Sequence, residues 1–194
     1  MTISQGRAST VTVLDDGTVL RVGGRPEAEA RIMELARSHG IRVPKVHQVR
    51  SDALVLERID GPTMGAHLAR RPWLARSHVR TLAELHAAIH AVSFEDAHLV
   101  HFDLHPDNVL ISPDGPVVID WTNAHGGDHE ADVAMTWIIL ATGAGLPGRM
   151  LARLFARRVG RNVIVRGLSG AREFRLSDPN VTDEDRNRVR FAVP

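Results

Sequence analysis

Between positions 101 and 121 the chain reads HFDLHPDNVLISPDGPVVIDW, and no other stretch restricts the fold so tightly. Residues 109–112 and 116–120 are short apolar runs rich in β-branched side chains. Between them lie Ser112, Pro113, Asp114 and Gly115, residue types that suit a tight reversal. The pattern predicts a two-stranded ribbon. Such a ribbon returns Asp120, at the end of its second strand, toward the loop ahead of its first, where Asp103 and Asn108 lie. Three oxygen-bearing side chains then share one small volume. That arrangement suits Mg²⁺ with substrate phosphates, because Mg²⁺ takes few protein carboxylates and fills its shell with water and phosphate oxygens. Two other readings stay open at this point. His101, Asp103 and His105 alternate and would face one way on an extended segment, as in a zinc or iron hydrolase. Each of these residues is also ordinary in turns and caps.

Composition narrows the field. With 194 residues, 43% of them hydrophobic, the chain can bury a core as one domain or two small lobes. Lys+Arg is 24 against Asp+Glu 23, a formal net charge of +1, so overall charge gives no support for a nucleic-acid or membrane partner. There is no cysteine, which excludes disulfides, thiolate metal sites and a cysteine nucleophile and is compatible with a reducing cytoplasm. MTISQGRAST lacks the apolar centre of a signal peptide. The longest apolar run, residues 133–146, is interrupted by Thr and Gly and falls short of the roughly 20 residues of a membrane span; it reads as a buried helix. A cytoplasmic monomer is the expectation. Lys45 is the sole lysine.

Along the chain, residues 11–14 and 18–22 form a hairpin about Asp15-Asp16-Gly17, with a small-residue loop at 6–9 ahead of it. Pro26 and an acidic first turn open a helix that carries Ile32, Met33, Leu35 and Ala36 on one face and stops at Gly40. Two further strands are expected at 45–50 and 53–59. Asp60-Gly61-Pro62 marks a boundary, beyond which the chain turns mainly helical. Helices are expected over 72–92, with Leu82, Leu85, Ile89 and Val92 on one face, after Asp128, and over 147–159. An arginine-rich tail follows, in which Thr182 caps a helix with an acidic first turn. The arginines of 149–190 read as a solvated helical face, with binding of an anionic partner as the alternative. Trp121 and Trp137 read as core. Asp128 and Asp132 read as caps and anchors of the helix after them, and His86 and His90, four residues apart on a helix but with no Glu after His86, as structural.

The protein-kinase catalytic loop follows the pattern H-R-D-x-x-x-x-N, with the Asp as base and the Asn on magnesium. His101, Asp103 and Asn108 keep that spacing, and Asp120 stands after a hairpin where kinases carry their metal-binding Asp. HFDLHPDNVL followed by VVIDW resembles the aminoglycoside phosphotransferase and choline-kinase-like group of small-molecule kinases, in which Ile-Asp-Trp or a similar triplet stands for Asp-Phe-Gly. The resemblance runs over most of the chain. It implies a two-lobed α+β protein-kinase-like fold, with a β-rich N-lobe over 1–59 and a mainly helical C-lobe over 60–194.

The resemblance also implies roles. Asp103 would be the catalytic base, and Asn108 and Asp120 would hold Mg²⁺ against ATP. Gly6 and Ser9 would lie in the phosphate-covering loop, Glu29 would be the ion-pairing acid of the N-lobe helix, and Val55, Leu56, Glu57 and Ile59 would form the hinge against adenine. His101 and His105 would brace the loop. The reaction implied is transfer of the γ-phosphoryl group of ATP to a hydroxyl of a small molecule, with neither nucleic acid nor membrane as partner. One position departs from the pattern. Where the group places its ATP-binding lysine, this chain has Arg21, which keeps the charge on a longer, planar group. A non-catalytic or impaired nucleotide-binding homologue is therefore the alternative, with a His/Asp metallohydrolase behind it. Acceptor pockets come from variable loops, so the acceptor, ATP against GTP, and any link to antibiotic resistance are not written in these motifs.

Overall fold

The computed structural model describes residues 2–5, 10–143, 145–178 and 181–194. Strands β1 (Thr2–Gln5), β2 (Thr10–Val13) and β3 (Val19–Val22) are followed by helix α1 (Pro26–Ser38) and by strands β4 (Val46–Val49) and β5 (Ala53–Leu56). The strands form one antiparallel sheet in the order β1-β2-β3-β5-β4. At the expected hairpin, Gly17 takes φ +81° and Asp16 accepts a hydrogen bond from the Thr18 N–H at 2.9 Å. β5 is buried at every position, as a continuous apolar run predicts. The strands expected at 45–50 and 53–59 are shorter than expected, and the second stops at Leu56. In α1, Pro26 stands where a helix needs no N–H. The helix ends at Ser38, and Gly40, φ +81°, turns the chain, with the Ile41 N–H returning to the Ala36 carbonyl at 3.1 Å. Ile32, Met33 and Ala36 are buried on its inner face, with Glu29 among them.

The remainder is mainly helical. Helix α2 (Met64–Arg70) was not expected from the sequence. Thr63 caps it, its hydroxyl accepting from the Ala66 N–H at 3.0 Å. The helix expected over 72–92 is a 3₁₀ turn, Pro72–Leu74, running into α3 (Ala75–His90). Three short strands, β6 (Ser93–Phe94), β7 (Ala97–Val100) and the later β10 (His125–Gly127), make a sheet of order β10-β7-β6. Between them lies the ribbon the sequence demanded, β8 (Val109–Ser112) with β9 (Gly115–Val118), in register from Val109 opposite Val118 to Ser112 opposite Gly115.

Helices α4 (His129–Gly143), α5 (Gly145–Val159), α6 (Arg161–Ser177) and α7 (Asp183–Phe191) complete the chain. α4 is buried from Ala131 to Ile138 without interruption, the mark of a central helix. The apolar run 133–146 is thus not one buried helix: it is divided between α4 and α5, and Leu146 is 79% exposed. Nor is the arginine-rich region only a solvated face. α6 buries Ile164, Gly167, Leu168 and Ala171, and a Cβ on Gly167 would overlap the Glu130 carbonyl, so this glycine sets how closely α6 approaches α4. Thr182 does cap α7, accepting from the Asp185 N–H at 3.2 Å. Trp121 and Trp137 are core residues. One apolar cluster runs from α1 and β5 through α3 and the ribbon to α4 and α6. No helix among the described residues is long and apolar enough to cross a membrane.

Candidate active site

The segment between β7 and β8 carries the motif. It cannot be simple extended chain, because Phe102 takes φ +59°, a left-handed conformation that is costly for a bulky side chain. The fully buried carboxylate of Asp132 holds that bend. Its two oxygens accept from the Phe102 N–H at 2.7 Å and the His101 N–H at 3.1 Å. Asp132 therefore anchors α4 to the loop and does not cap it, whereas Asp128 does cap, accepting from the Glu130 N–H at 2.8 Å. Burial works to raise the Asp132 pKa, but His86 and His90 outweigh it and hold the carboxyl well below its usual range. His90 Nε2 donates to Asp132 at 2.8 Å. His86 lies beside the same oxygen at 3.5 Å and also reaches Thr136, whose hydroxyl donates to the Leu104 carbonyl at 2.6 Å. α3 and α4 thus grip the loop from beneath. The signal for this role was present in the sequence: an Asp followed by seven residues of an almost wholly apolar helix must find buried partners.

His101 ties the loop to the ribbon. Its Nδ1 accepts from the Asp103 N–H at 3.3 Å, and its Nε2 faces the Ile119 carbonyl at 3.2 Å. A ring that accepts at one nitrogen and meets a carbonyl at the other is neutral, with its proton on Nε2. Burial favours the same state, pushing the His101 pKa down to about 4. His105 braces the next turn, its Nδ1 accepting from the Asp107 N–H at 3.3 Å.

Of the three oxygen-bearing residues, Asn108 and Asp103 touch, and Asp120 is near enough to act on the Asp103 carboxyl. Asn108 Nδ2 donates to the Asp103 carboxylate at 3.0 Å and to the Asp103 carbonyl at 2.8 Å. That fixes the amide so that its Oδ1 faces away from Asp103. Burial raises the Asp103 pKa, His105 opposes the rise, and Asp120 reinforces it. Asp120 follows β9 in a left-handed conformation, φ +60°, with its side chain 38% exposed.

From the other side comes Arg21. On β3 it pairs with Leu54 and Val11 in the sheet and sends its guanidinium across to Glu29 of α1 at 2.5 Å and to Asp120 at 2.8 Å. The side chains of Arg21 and Glu29 are 7% and 3% exposed. Burial raises the Glu29 pKa and Arg21 works against it. Glu29 is therefore the acid that reaches Arg21; Glu27 is exposed. Thr122, which the sequence did not single out, hydrogen-bonds both Arg21 and Asp120. Leu56 and Val55 are buried in β5, and Glu57 bonds the Lys45 backbone twice, N–H to carbonyl at 2.8 Å and carboxylate to N–H at 3.0 Å. Ile59 lies in the connection to α2. These hinge positions make no direct bond to the Asp103 group among the described residues. Gly6 and Ser9 lie outside the described residues. Next to the loop, an apolar cleft of about 820 Å³ opens between α2 and α5, with His105 and Asp107 on its rim.

Three comparisons bear on this geometry. A family model described as the RIO domain matches residues 23–135, more than half of the chain. A probable bifunctional tRNA threonylcarbamoyladenosine biosynthesis protein of Methanospirillum hungatei is 31% identical over 100 residues, 52% of this chain and only 17% of that protein. Among solved structures, an aminoglycoside phosphotransferase, APH(4)-Ia, in ternary complex with AMP-PNP and hygromycin B has a TM-score of 0.71 at 19% identity, covering 98% of this chain and 91% of that one. An ethanolamine kinase of Plasmodium vivax has a TM-score of 0.60 at 11% identity, covering 98% and 79%. At these identities the structural likeness is one of fold, and it is the α+β, protein-kinase-like fold that the motif implied.

Proposed function

Because the chain belongs to the RIO-domain family, whose fold is protein-kinase-like, we propose that it is an ATP-dependent phosphotransferase acting on a hydroxyl of a small molecule. The observation that carries this reading is the hydrogen bond by which Asn108 orients the Asp103 carboxylate, with Asp120 raising the same carboxyl's pKa. In this reading Asp103 accepts the acceptor's hydroxyl proton. Its burial makes it a better base than a solvated Asp.

Asn108 Oδ1 and the partly exposed Asp120 carboxylate are a hard-oxygen pair that fits Mg²⁺, which when bound supplies charge neutralisation at the phosphates. The protein's own part is positioning. Asp132 and His101 fix the loop, and Arg21 joins α1 to Asp120 while offering positive charge to phosphate. Residues 1–59 would carry the nucleotide, with Leu56, Glu57 and Ile59 at adenine and Gly6 and Ser9 over the phosphates. Residues 60–194 would carry base, metal and acceptor. Membership of the aminoglycoside phosphotransferase and choline-kinase-like group is the finer form of this proposal. It is supported by an ethanolamine kinase and an aminoglycoside phosphotransferase sharing the fold, and by the apolar cleft beside the loop.

One observation favours a second reading. Arg21 already occupies Asp120 at 2.8 Å, so the residue in the lysine position competes for a metal ligand, as suits a nucleotide binder without turnover. A single assay separates the two. ATP consumption is measured across hydroxylated small molecules and a protein acceptor, for the unaltered chain, Asp103→Ala and Arg21→Lys. Turnover with a small acceptor that falls at least about 100-fold in Asp103→Ala is the expected result. Unchanged turnover in that variant sinks the base assignment. Activity present only in Arg21→Lys, with ATP bound by both chains, establishes the second reading.

A further inference from the structure

Far along the chain from the phosphotransfer motif, α4, α5 and α7 enclose a second groove of about 760 Å³. Five arginines line it, Arg149, Arg153, Arg157, Arg161 and Arg188, and no acidic side chain does. The first three recur every fourth residue along α5, so they stand in one row with steps of about 6 Å. Like charges four apart on a helix repel, costing a few tenths of a kcal/mol per pair. Several arginines outside the groove do find a carboxylate: Arg21 pairs with Glu29, Arg166 with Glu130 and Arg175 with Asp178. Among the described residues, Arg149, Arg153, Arg157 and Arg161 have no carboxylate partner. Indeed residues 145–161 contain five arginines and no Asp or Glu. The formal net charge of +1 conceals this local surplus.

The groove is not purely electrostatic. Its floor is apolar, with Trp137, Ala152 and Ala156, and its lip carries Phe191, which is 80% exposed. A row of evenly spaced cations beside an exposed aromatic ring is the chemistry that holds a nucleic-acid strand. Phosphates follow the cations, and a base stacks on the ring. An acidic peptide would satisfy the arginines but would leave the ring unexplained. We propose that this groove binds a single strand of nucleic acid through its phosphate backbone, with Phe191 as a stacking platform. The proposal is independent of the phosphotransfer reading.

The test is fluorescence anisotropy of the full chain with a labelled 20-nucleotide oligo-uridine, repeated with oligo-deoxythymidine and with poly-glutamate of similar charge. If the four unpaired arginines each meet a phosphate, affinity falls about 50-fold between 50 and 200 mM salt. The charge-reversed pair Arg153→Glu with Arg157→Glu should weaken binding at least about tenfold. Reversal of two exposed arginines on α3, Arg76→Glu with Arg80→Glu, should change it little. Phe191→Ala should cost at least about fivefold and leave the salt slope intact. All of these side chains are exposed, and a thermal melt checks that each variant is folded. Tighter binding of one of the two oligonucleotides identifies the sugar preferred. The proposal is overturned by absence of binding at 50 mM salt, by equal loss in the α3 pair, by no loss in Phe191→Ala, or by poly-glutamate binding the same arginines more tightly than either strand.

Discussion

Replacing Arg21 with Met tests the physical core of the site without reference to catalysis. Met keeps much of the stem's volume and removes the charge. The guanidinium it deletes is bonded to Glu29 at 2.5 Å, with the two side chains 7% and 3% exposed, and to Asp120 at 2.8 Å. Glu29 would then be a buried carboxylate with no counter-charge, a situation that costs about 3–5 kcal/mol. For a chain of 194 residues that corresponds to a Tm lowered by roughly 6–20 °C. Burial already raises the Glu29 pKa, and Arg21 is what opposes it. In the variant the opposition is gone, so the folded-state pKa moves further above the ordinary 4.5. A raised folded pKa contributes stability below the unfolded value and loses it as pH rises through the folded one. The deficit of Arg21→Met should therefore be largest near pH 8 and shrink toward about 1–3 kcal/mol near pH 5, where the neutral acid lacks only hydrogen-bond partners. Glu29→Gln in the same background should recover at least about 2 kcal/mol at pH 8, a coupling read by a double-variant cycle of urea melts. A loss below about 1 kcal/mol that is the same at both pH values would refute the reasoning, since it would mean that Glu29 is solvated.

Two further predictions concern packing beneath the loop. His101 is buried neutral with its pKa at about 4 against an ordinary 6.5, so the unfolded chain takes up a proton first as pH falls; roughly 3 kcal/mol of stability should be lost between pH 7 and pH 4, and His101→Gln should flatten that part of the urea-melt pH profile. Gly167→Ala sets a gain of up to about 1 kcal/mol in helix propensity against overlap with the Glu130 carbonyl, and overpacking against backbone, typically 1–3 kcal/mol, should win, giving a lower Tm; a raised Tm would show that α6 stands off α4.

What could be read from the sequence was what rests on local chemistry. The ribbon of β8 and β9 was legible because Pro113 and Gly115 punctuate two apolar runs, and α1 because Pro26 and Gly40 bracket a periodic face. Other elements lacked such signals. β6 and β7 meet through Glu95 and Asp96, which take φ +49° and +61° with no glycine to announce the turn. α2 has seven residues with Gly65 inside, too short and too broken for periodicity to register. α6 does carry an apolar face, Ile164, Leu168 and Ala171, but its arginines drew the reading toward solvent. At the site the motif residues were legible by spacing, whereas the bond of Thr122 to Arg21 and the grip of Asp132 on the loop span more than 20 residues, which spacing does not encode.

Arg21 shows how a substitution that looks conservative in the sequence changes what its neighbours do. A lysine ammonium is a compact point charge with its three donors on one nitrogen; the guanidinium spreads five donors over a planar fork. Here the fork is divided, with Nη1 to Glu29 and Nη2 to Asp120 and Thr122. The sheet and α1 are therefore coupled to the segment after the ribbon by the side chain itself. Asp120 sits at φ +60°, a conformation an Asp tolerates but does not favour, and two of its restraints, Arg21 and Thr122, are bonds to one carboxylate oxygen, Oδ1. The second oxygen takes part in neither bond, and the side chain as a whole is 38% exposed. If Asp120 holds Mg²⁺ as proposed, its two demands fall on different atoms: Oδ1 fixes the residue in the fold, and Oδ2 would be the oxygen left for the cation. Arg21 would then limit Asp120 to one carboxylate oxygen for a metal, without removing it as a ligand.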